Sequence, residues 1–230
     1  MYQHTKKFAV SWSSGKDSCL ALNKLLQENS DVVCLLSMVN SKDARNHSHG
    51  IKLKILESQA KALEIPLIMV DSDNDYENSL VNALRHLKDE LGVEQIAFGS
   101  LYAAEDRKWN EKVSHRAGVE PIFPVWISPE DSNELLEEFL SLGFSALVCR
   151  ASENHFDHTW PGRILDWRFY EVVQHKGICV MGEFGEYHTF VVDGPIFKKK
   201  VKLIQSGVVL NSGLWSLDIQ QCTLSDKTTC

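Results

Sequence analysis

The chain has 230 residues, 43% hydrophobic and 24% charged, a composition that excludes global disorder and suits one large domain or a core domain with a smaller companion. Its net charge of −7 argues against broad, salt-driven binding to a nucleic-acid backbone, and Lys198, Lys199 and Lys200 make only a short basic turn after Pro195.

In chain order, the segments 8–11, 32–39, 66–70, 95–99 and 122–125 are short apolar runs of the kind found in strands buried on both faces of a parallel sheet. Helical patterns separate them. Leu22, Leu25 and Leu26 mark the first, and Ile55, Leu56, Ala60 and Leu63 the second. Leu80, Leu84, Leu87 and Leu91 mark a third, with Gly92 as its stop. This alternation means right-handed crossovers and an α/β fold with a doubly wound parallel sheet.

The pattern changes near Trp126. Ser128-Pro129-Glu130-Asp131 opens a helix carrying Leu135, Leu136, Phe139 and Leu140, with Gly143 after it. Beyond residues 146–149 the helical rhythm fades into a glycine-rich stretch, with short strands expected at 177–181 and 189–192. The expected division is therefore a first domain over 1–125 and a smaller α+β domain over 126–230. A site is expected beyond the C-terminal ends of the sheet strands, in the cleft facing the second domain.

The six cysteines are scattered without a Cys-x-x-Cys pair, as expected of reduced, packed thiols and not of a zinc site. The longest apolar stretch, 32–39, is too short to span a bilayer, and residues 1–7 have no apolar signal segment, so the cytoplasm is the expected compartment. His155, Asp157 and His158 sit close together, but no further cluster lies at ligand spacing, so no resident metal is expected.

The strand 8–11 runs into Trp12-Ser13-Ser14-Gly15-Lys16-Asp17-Ser18 and then a helix. Successive backbone N–H groups at an open helix N-terminus make an anion site, Gly15 allows close approach, the serines add hydroxyls and Lys16 adds a charge. A Walker A loop would need Ser or Thr after the Lys and Gly five positions before the second Gly; Asp17 and Val10 stand there, so that reading fails.

The SSGKDS loop resembles the SGGKDS loop of the PP-loop ATP pyrophosphatases, with Ser14 in place of a glycine. IAFGSLYAAEDR, residues 96–107, resembles the second ATP-side segment of one branch of that group. Gly182-Glu183-Phe184-Gly185-Glu186-Tyr187-His188-Thr189, followed by Asp193-Gly194-Pro195, is similar to the distal signature of the diphthine–ammonia ligase family. The resemblance implies a Rossmann-like ATP-binding domain and ATP with Mg²⁺ as cofactors. It places Ser11, Ser13, Ser14, Gly15, Lys16, Asp17, Ser18, Met38, Gly99 and Arg107 at the nucleotide, with Lys16 also catalytic. It places His49 at the substrate mouth, and Gly162-Arg163-x-x-Asp166 near the site.

Glu183 and Glu186, three apart in a glycine-flanked loop, are carboxylates that can converge on ammonium or serve as a general base. His188 and Thr189 follow and can donate to a carboxylate, which makes Glu183, Glu186 and His188 catalytic candidates and Thr189 a substrate contact. The expected activity is AMP-forming amide ligation: a carboxylate activated with release of pyrophosphate, then joined to ammonia or an amine. The family's own substrate is a modified histidine of translation elongation factor 2, a translation-factor side chain. An RNA-thiolating PP-loop enzyme would need a persulfide cysteine and a basic surface; a non-catalytic nucleotide sensor of the universal-stress type would lack the Lys-Asp of this loop. The sequence leaves a homodimer open.

Overall fold

A computed structural model describes residues 5–72 and 75–227; the first four residues and Cys230 lie outside them. Two compact units result. The first holds the chain up to Ser13, Asp17–Leu53 and Ile65–Trp126, and the second holds Ser14–Lys16, Lys54–Glu64 and the chain from Ile127 on.

In the first unit the strands are β1 (Lys7–Ser11), β2 (Asp31–Asn40), the two-residue β3 (Arg45–Asn46), β4 (Leu67–Asp71), β5 (Val93–Ala97) and β6 (Glu120–Ile122). The helices are α1 (Lys16–Gln27), α3 (Tyr76–Leu91) and α4 (Ala104–Ala117); α2 (Leu53–Leu63), which lies between β3 and β4 in the chain, falls almost wholly in the second unit. β1 pairs in parallel with β2 and β5, β4 flanks β2, and β6 flanks β5, so the parallel order is β4-β2-β1-β5-β6. Among the described residues of this unit only β3 runs antiparallel, against the end of β2. The winding direction reverses between β1 and β5, and an open α/β sheet holds its ligand beyond the C-terminal strand ends at such a reversal.

Local chemistry explains the elements. α3 opens at Asp75, whose carboxylate accepts the Asn78 N–H at 3.0 Å, and closes at Gly92 with φ +71, whose N–H reaches the carbonyls of Leu87 and Lys88. Its stripe of Leu80, Leu84 and Leu87 joins Ala9, Leu36, Met38, Ile96 and Phe98 in the core. The strand expected at 95–99 is displaced to 93–97, and that expected at 122–125 to 120–122. There Pro124 cannot continue a ladder, and Phe123 turns to stack on Phe98 with ring centroids 5.8 Å apart.

The second unit is an antiparallel sheet of order β8-β7-β10-β9, built from β7 (Ser145–Ser152), β8 (Tyr187–Asp193), β9 (Lys199–Asn211) and β10 (Leu214–Asp226). α5 (Ser132–Ser141) follows a 3-10 turn at Pro129–Asp131. Helix α6 (Trp167–Lys176) was not expected. Asp166 caps it by accepting the Phe169 N–H at 2.9 Å, and Gly177 ends it at φ +64. The segment 177–181, expected as a strand, is a turn, because it is bounded by two left-handed glycines, Gly177 and Gly182. The long β9–β10 hairpin closes on Ser212 and Gly213, both at positive φ, the geometry that matches strand twist in a tight turn.

Phe139 and Phe144 stack with centroids 4.7 Å apart, and a Cβ on Gly194 would meet Phe144 Cδ1 at 2.2 Å. Gly194→Ala should therefore cost about 1–3 kcal/mol through overpacking. Urea denaturation followed by fluorescence checks this; an unchanged midpoint would mean that the Phe144 ring yields freely.

Candidate active site

On the first unit, β1 ends at Ser11, and the next residue fixes the chain by donating the Trp12 N–H to Leu36 O at 2.8 Å. The hydroxyls of Ser13 and Ser18 lie 3.1 Å apart, and the Ser13 carbonyl accepts Asn46 Nδ2 at 3.0 Å. Asn46 is itself held, because its Oδ1 accepts the Ile51 N–H at 2.8 Å. A Cβ on Gly99 would lie 2.9 Å from Ser18 N and 3.0 Å from Asp17 C, so glycine is what lets the chain after β5 lie against the opening turn of α1.

The other nucleotide and substrate candidates of this unit are more dispersed. Met38 is 8% exposed and packs in the core. Arg107 lies over the rings of Phe123 (4.7 Å) and Trp126 (4.8 Å), and its Nε donates to Glu111 at 2.8 Å. His49 is half-buried in the turn after β3, while His47 shares a 2.8 Å hydrogen bond with Ser72.

On the second unit, Ser14–Lys16 runs along β8, the edge strand of its sheet. The Ser14 carbonyl accepts the Val191 N–H at 3.0 Å and Gln59 Nε2 at 3.0 Å; Gln59 Nε2 also donates to Val191 O at 2.7 Å. The Lys16 N–H donates to Thr189 Oγ1 at 3.0 Å, and the Lys16 ammonium lies 5.2 Å from the centre of the Tyr187 ring. Lys16 is 3% exposed, and Thr189, expected to meet substrate, is fully buried as the acceptor that fixes the loop.

The segment before β8 folds on itself. Gly182 sits at φ +67 where a Cβ would meet Tyr187 O at 2.6 Å, and the Tyr187 hydroxyl donates to Val180 O. Glu186, 6% exposed, accepts the backbone N–H groups of Cys179 at 3.2 Å and Phe184 at 3.0 Å. Its carboxylate thus organises the turn, while Glu183 is half-buried beside the exposed Phe184. His188 is pushed down to about 4, first by burial and then by the charges of Lys16 and Arg150, so its imidazole is neutral near pH 7.

These residues fit a polyphosphate. Ser14 is at φ +76, and its hydroxyl is a buried group with no hydrogen-bond partner among the described residues, two positions before the buried Lys16 that starts α1. Among the described residues no group of three or more His, Cys, Asp or Glu could hold a metal ion. His155 instead meets Phe156, His158 meets Trp215, and Asp157 accepts from Thr159 at 2.8 Å. No helix among the described residues is long and apolar enough to cross a membrane.

Residues 6–121 match the diphthamide synthase N-terminal domain and residues 131–223 the diphthamide synthase C-terminal domain. The chain belongs to the diphthamide synthase family. It is 25% identical over 224 residues to the diphthine–ammonia ligase of Danio rerio, covering 87% of each chain. It is 25% identical over 231 residues to that of Homo sapiens, covering 90% of this chain and 86% of the relative. The ligase of Schizosaccharomyces pombe is 22% identical over 223 residues, which are 87% of this chain and 36% of that one.

Two residues of the second unit escaped the sequence reading. Gln59 is fully buried on the apolar stripe of α2 with Ile55, Leu56 and Leu63, and a polar residue on such a stripe was the available signal. Arg150, opposite His188 in the β7–β8 ladder, carries no sequence signal at all.

A left-handed non-glycine residue costs about 1–2 kcal/mol, and a buried hydroxyl without a partner adds to it. Ser14→Gly should therefore raise stability by about 1 kcal/mol without ligand, after the larger unfolded-state entropy of glycine is subtracted. Equilibrium denaturation in nucleotide-free buffer checks the sign; a destabilised variant would show that the serine is comfortable where it stands.

Proposed function

We propose that this chain is an ATP-dependent ligase that forms a carbon–nitrogen bond between a substrate carboxylate and ammonia. Diphthine, named in its relatives, is the proposed carboxylate. ATP supplies the activation: the carboxylate displaces pyrophosphate at the α-phosphorus, and ammonia then displaces AMP. Mg²⁺ in this reading is the ion that the triphosphate carries.

The observation that carries the reading is the loop 13–18: a helix start, a buried ammonium and a buried hydroxyl in one turn, with Asp17 following Lys16. Lys16 and the loop amides stabilise charge that moves onto pyrophosphate. Glu183 accepts the proton that ammonium must lose before its nitrogen can attack. Glu186 holds the turn that presents Glu183 through its two amide bonds. A thiolation reading finds little support: burial pushes the thiols of Cys34 up to about 11 and Cys149 to about 12 and also raises Cys19, so none of the three is a ready thiolate.

Incubation with ATP, ammonium and the carboxylate should yield AMP and pyrophosphate, resolved by anion-exchange chromatography. ADP and phosphate as the main products would defeat the reading.

The two glutamates should part company on substitution. Glu183→Gln should leave ATP affinity unchanged and lower turnover about 10²–10⁴-fold, the scale for a positioned acid–base group. Glu186→Gln, which exchanges a charged acceptor of two amides for a neutral one, should lower stability by about 1–3 kcal/mol. Calorimetric ATP titration, a pyrophosphate-release assay and thermal melting on both variants separate the roles. Equal stability loss in both, or weakened ATP binding in Glu183→Gln, would overturn them.

A further inference from the structure

The antiparallel sheet of the second unit has two edges, and they differ. Along β8 residues 14–16 take up edge groups: the Val191 N–H goes to Ser14 O, and Thr189 Oγ1 accepts the Lys16 N–H. Along the outer side of β9 no strand is paired among the described residues.

An unpaired edge is normally blunted by charge, proline, shortness or a bulge. β9 is 13 residues long, and from Leu203 to Asn211 it has neither a charged residue nor a proline. Lys199, Lys200 and Lys202 all lie at its start. The ladder is interrupted near 204–205, where it passes over Ile204 on β9 and Gln220 on β10. Beyond that point Ser206 to Asn211 pairs with Ile219 to Leu214 without a break.

The whole stretch from Ile204 to Asn211 is exposed. Its large apolar residues are Ile204 at 57%, Val208 at 41%, Val209 at 49% and Leu210 at 47%. Val208 stands opposite Leu217, and Ser206 opposite Ile219, both of which are buried. Directly opposed residues share a face, so the core face of the sheet continues onto β9, where Val208 and Leu210 meet water. A flat, uncharged, apolar edge of this length is a template for another strand.

We propose that two copies of this chain pair β9 to β9, antiparallel about a two-fold axis near Val208, and join their sheets into one. Symmetry and charge select a second copy as the occupant. Pairing β9 to β8 would propagate from copy to copy without end, and residues 14–16 obstruct it at β8. Pairing β9 to β9 uses the same edge in both copies and closes. The two-fold sets each residue of 206–211 against another part of the same run. That run has no charge, so no like charges oppose there although each copy carries −7. No contact within the chain requires glycine at 207, since a Cβ there would meet nothing within 4 Å. A glycine inside a strand is a common mark of close approach by another backbone.

Standard interfaces take about 20–30 residues a side, and the stretch 204–211 falls short of that. The dimer is therefore weak, with a Kd of about 1–100 μM. It is independent of the ligase reading, which stands or falls on its own assays.

The test is sedimentation velocity on wild type, Val208→Lys, Val208→Glu and an equimolar mixture of the two variants, at concentrations below and above that Kd. Thermal melting confirms folding. Wild type should pass from monomer to dimer as concentration rises. Each variant alone should dimerise at least about 100-fold more weakly, because like charges face each other near the axis. The mixture should recover the dimer, with Lys set against Glu. A wild type that stays monomeric, or one that assembles beyond a dimer, would overturn the proposal. So would a dimer of wild-type strength in either variant, or a mixture no better than the variants singly, since Val208 would then not face its own copy. If the variants do not fold, hydrogen exchange on wild type decides: amides of 206–210 should gain protection with concentration, and unchanged protection would overturn the pairing.

Discussion

The carbonyl oxygen of Ser14 accepts two hydrogen bonds, one from the Val191 backbone and one from the side chain of Gln59, and the conformation of the phosphate loop depends on that pair. To offer its carbonyl there, Ser14 takes φ +76, a conformation that costs a serine about 1–2 kcal/mol. Two bonds to the carbonyl and a third from Lys16 to Thr189, at about 0.5–1.5 kcal/mol each, outweigh that cost. The same bonds solve a second problem. β8 is an edge strand, and a row of open N–H and C=O groups invites pairing with another chain. Residues 14–16 cover part of that edge, so the loop between β1 and α1 also finishes the sheet.

Charge in the molecule is spent unevenly. Glu77 meets both Lys112, at 2.9 Å, and Arg116 on the surface, where water screens such pairs and each contributes little. The charges around β8 sit where screening is weak: Lys16 is buried against an aromatic ring, and Glu186 is buried on two amides. In a protein of net charge −7, the Lys16 and Arg150 cations beside β8 keep the buried His188 imidazole neutral. Local arrangement decides this site, and net charge does not report it.

Much of this was legible in the residues because it depends on short-range chemistry. The anion loop follows from a strand, a turn and a helix start within eleven residues, and the doubly wound sheet from the alternation of apolar runs and helical stripes. The glycines at 99 and 182 stand at backbone approaches that a Cβ would block, which is why both fell inside recognisable motifs. Helix α6 was hidden because its stripe of Phe169, Tyr170 and Val173 is brief and its neighbours are glycine-rich. The strand boundaries near 97 and 122 shifted because ring stacking and a proline, not hydrophobicity, end those strands. Arg150 could not be read at all: its place beside His188 follows from a one-residue bulge, which no periodicity encodes.

Glu186 shows how the same residue types carry two different roles three positions apart. Both glutamates lie in one glycine-flanked turn, and the sequence assigns them alike. The fold separates them by geometry, giving Glu186 two amide donors and leaving Glu183 at the half-buried end beside Phe184. Glu186 is followed by Tyr187, whose hydroxyl bond to Val180 closes the loop onto the start of β8. Two positions further on, Thr189 takes the Lys16 amide from a loop 173 residues away in sequence. Residues 14–16 of the first motif and Thr189 of the second are therefore joined in one hydrogen-bonded structure.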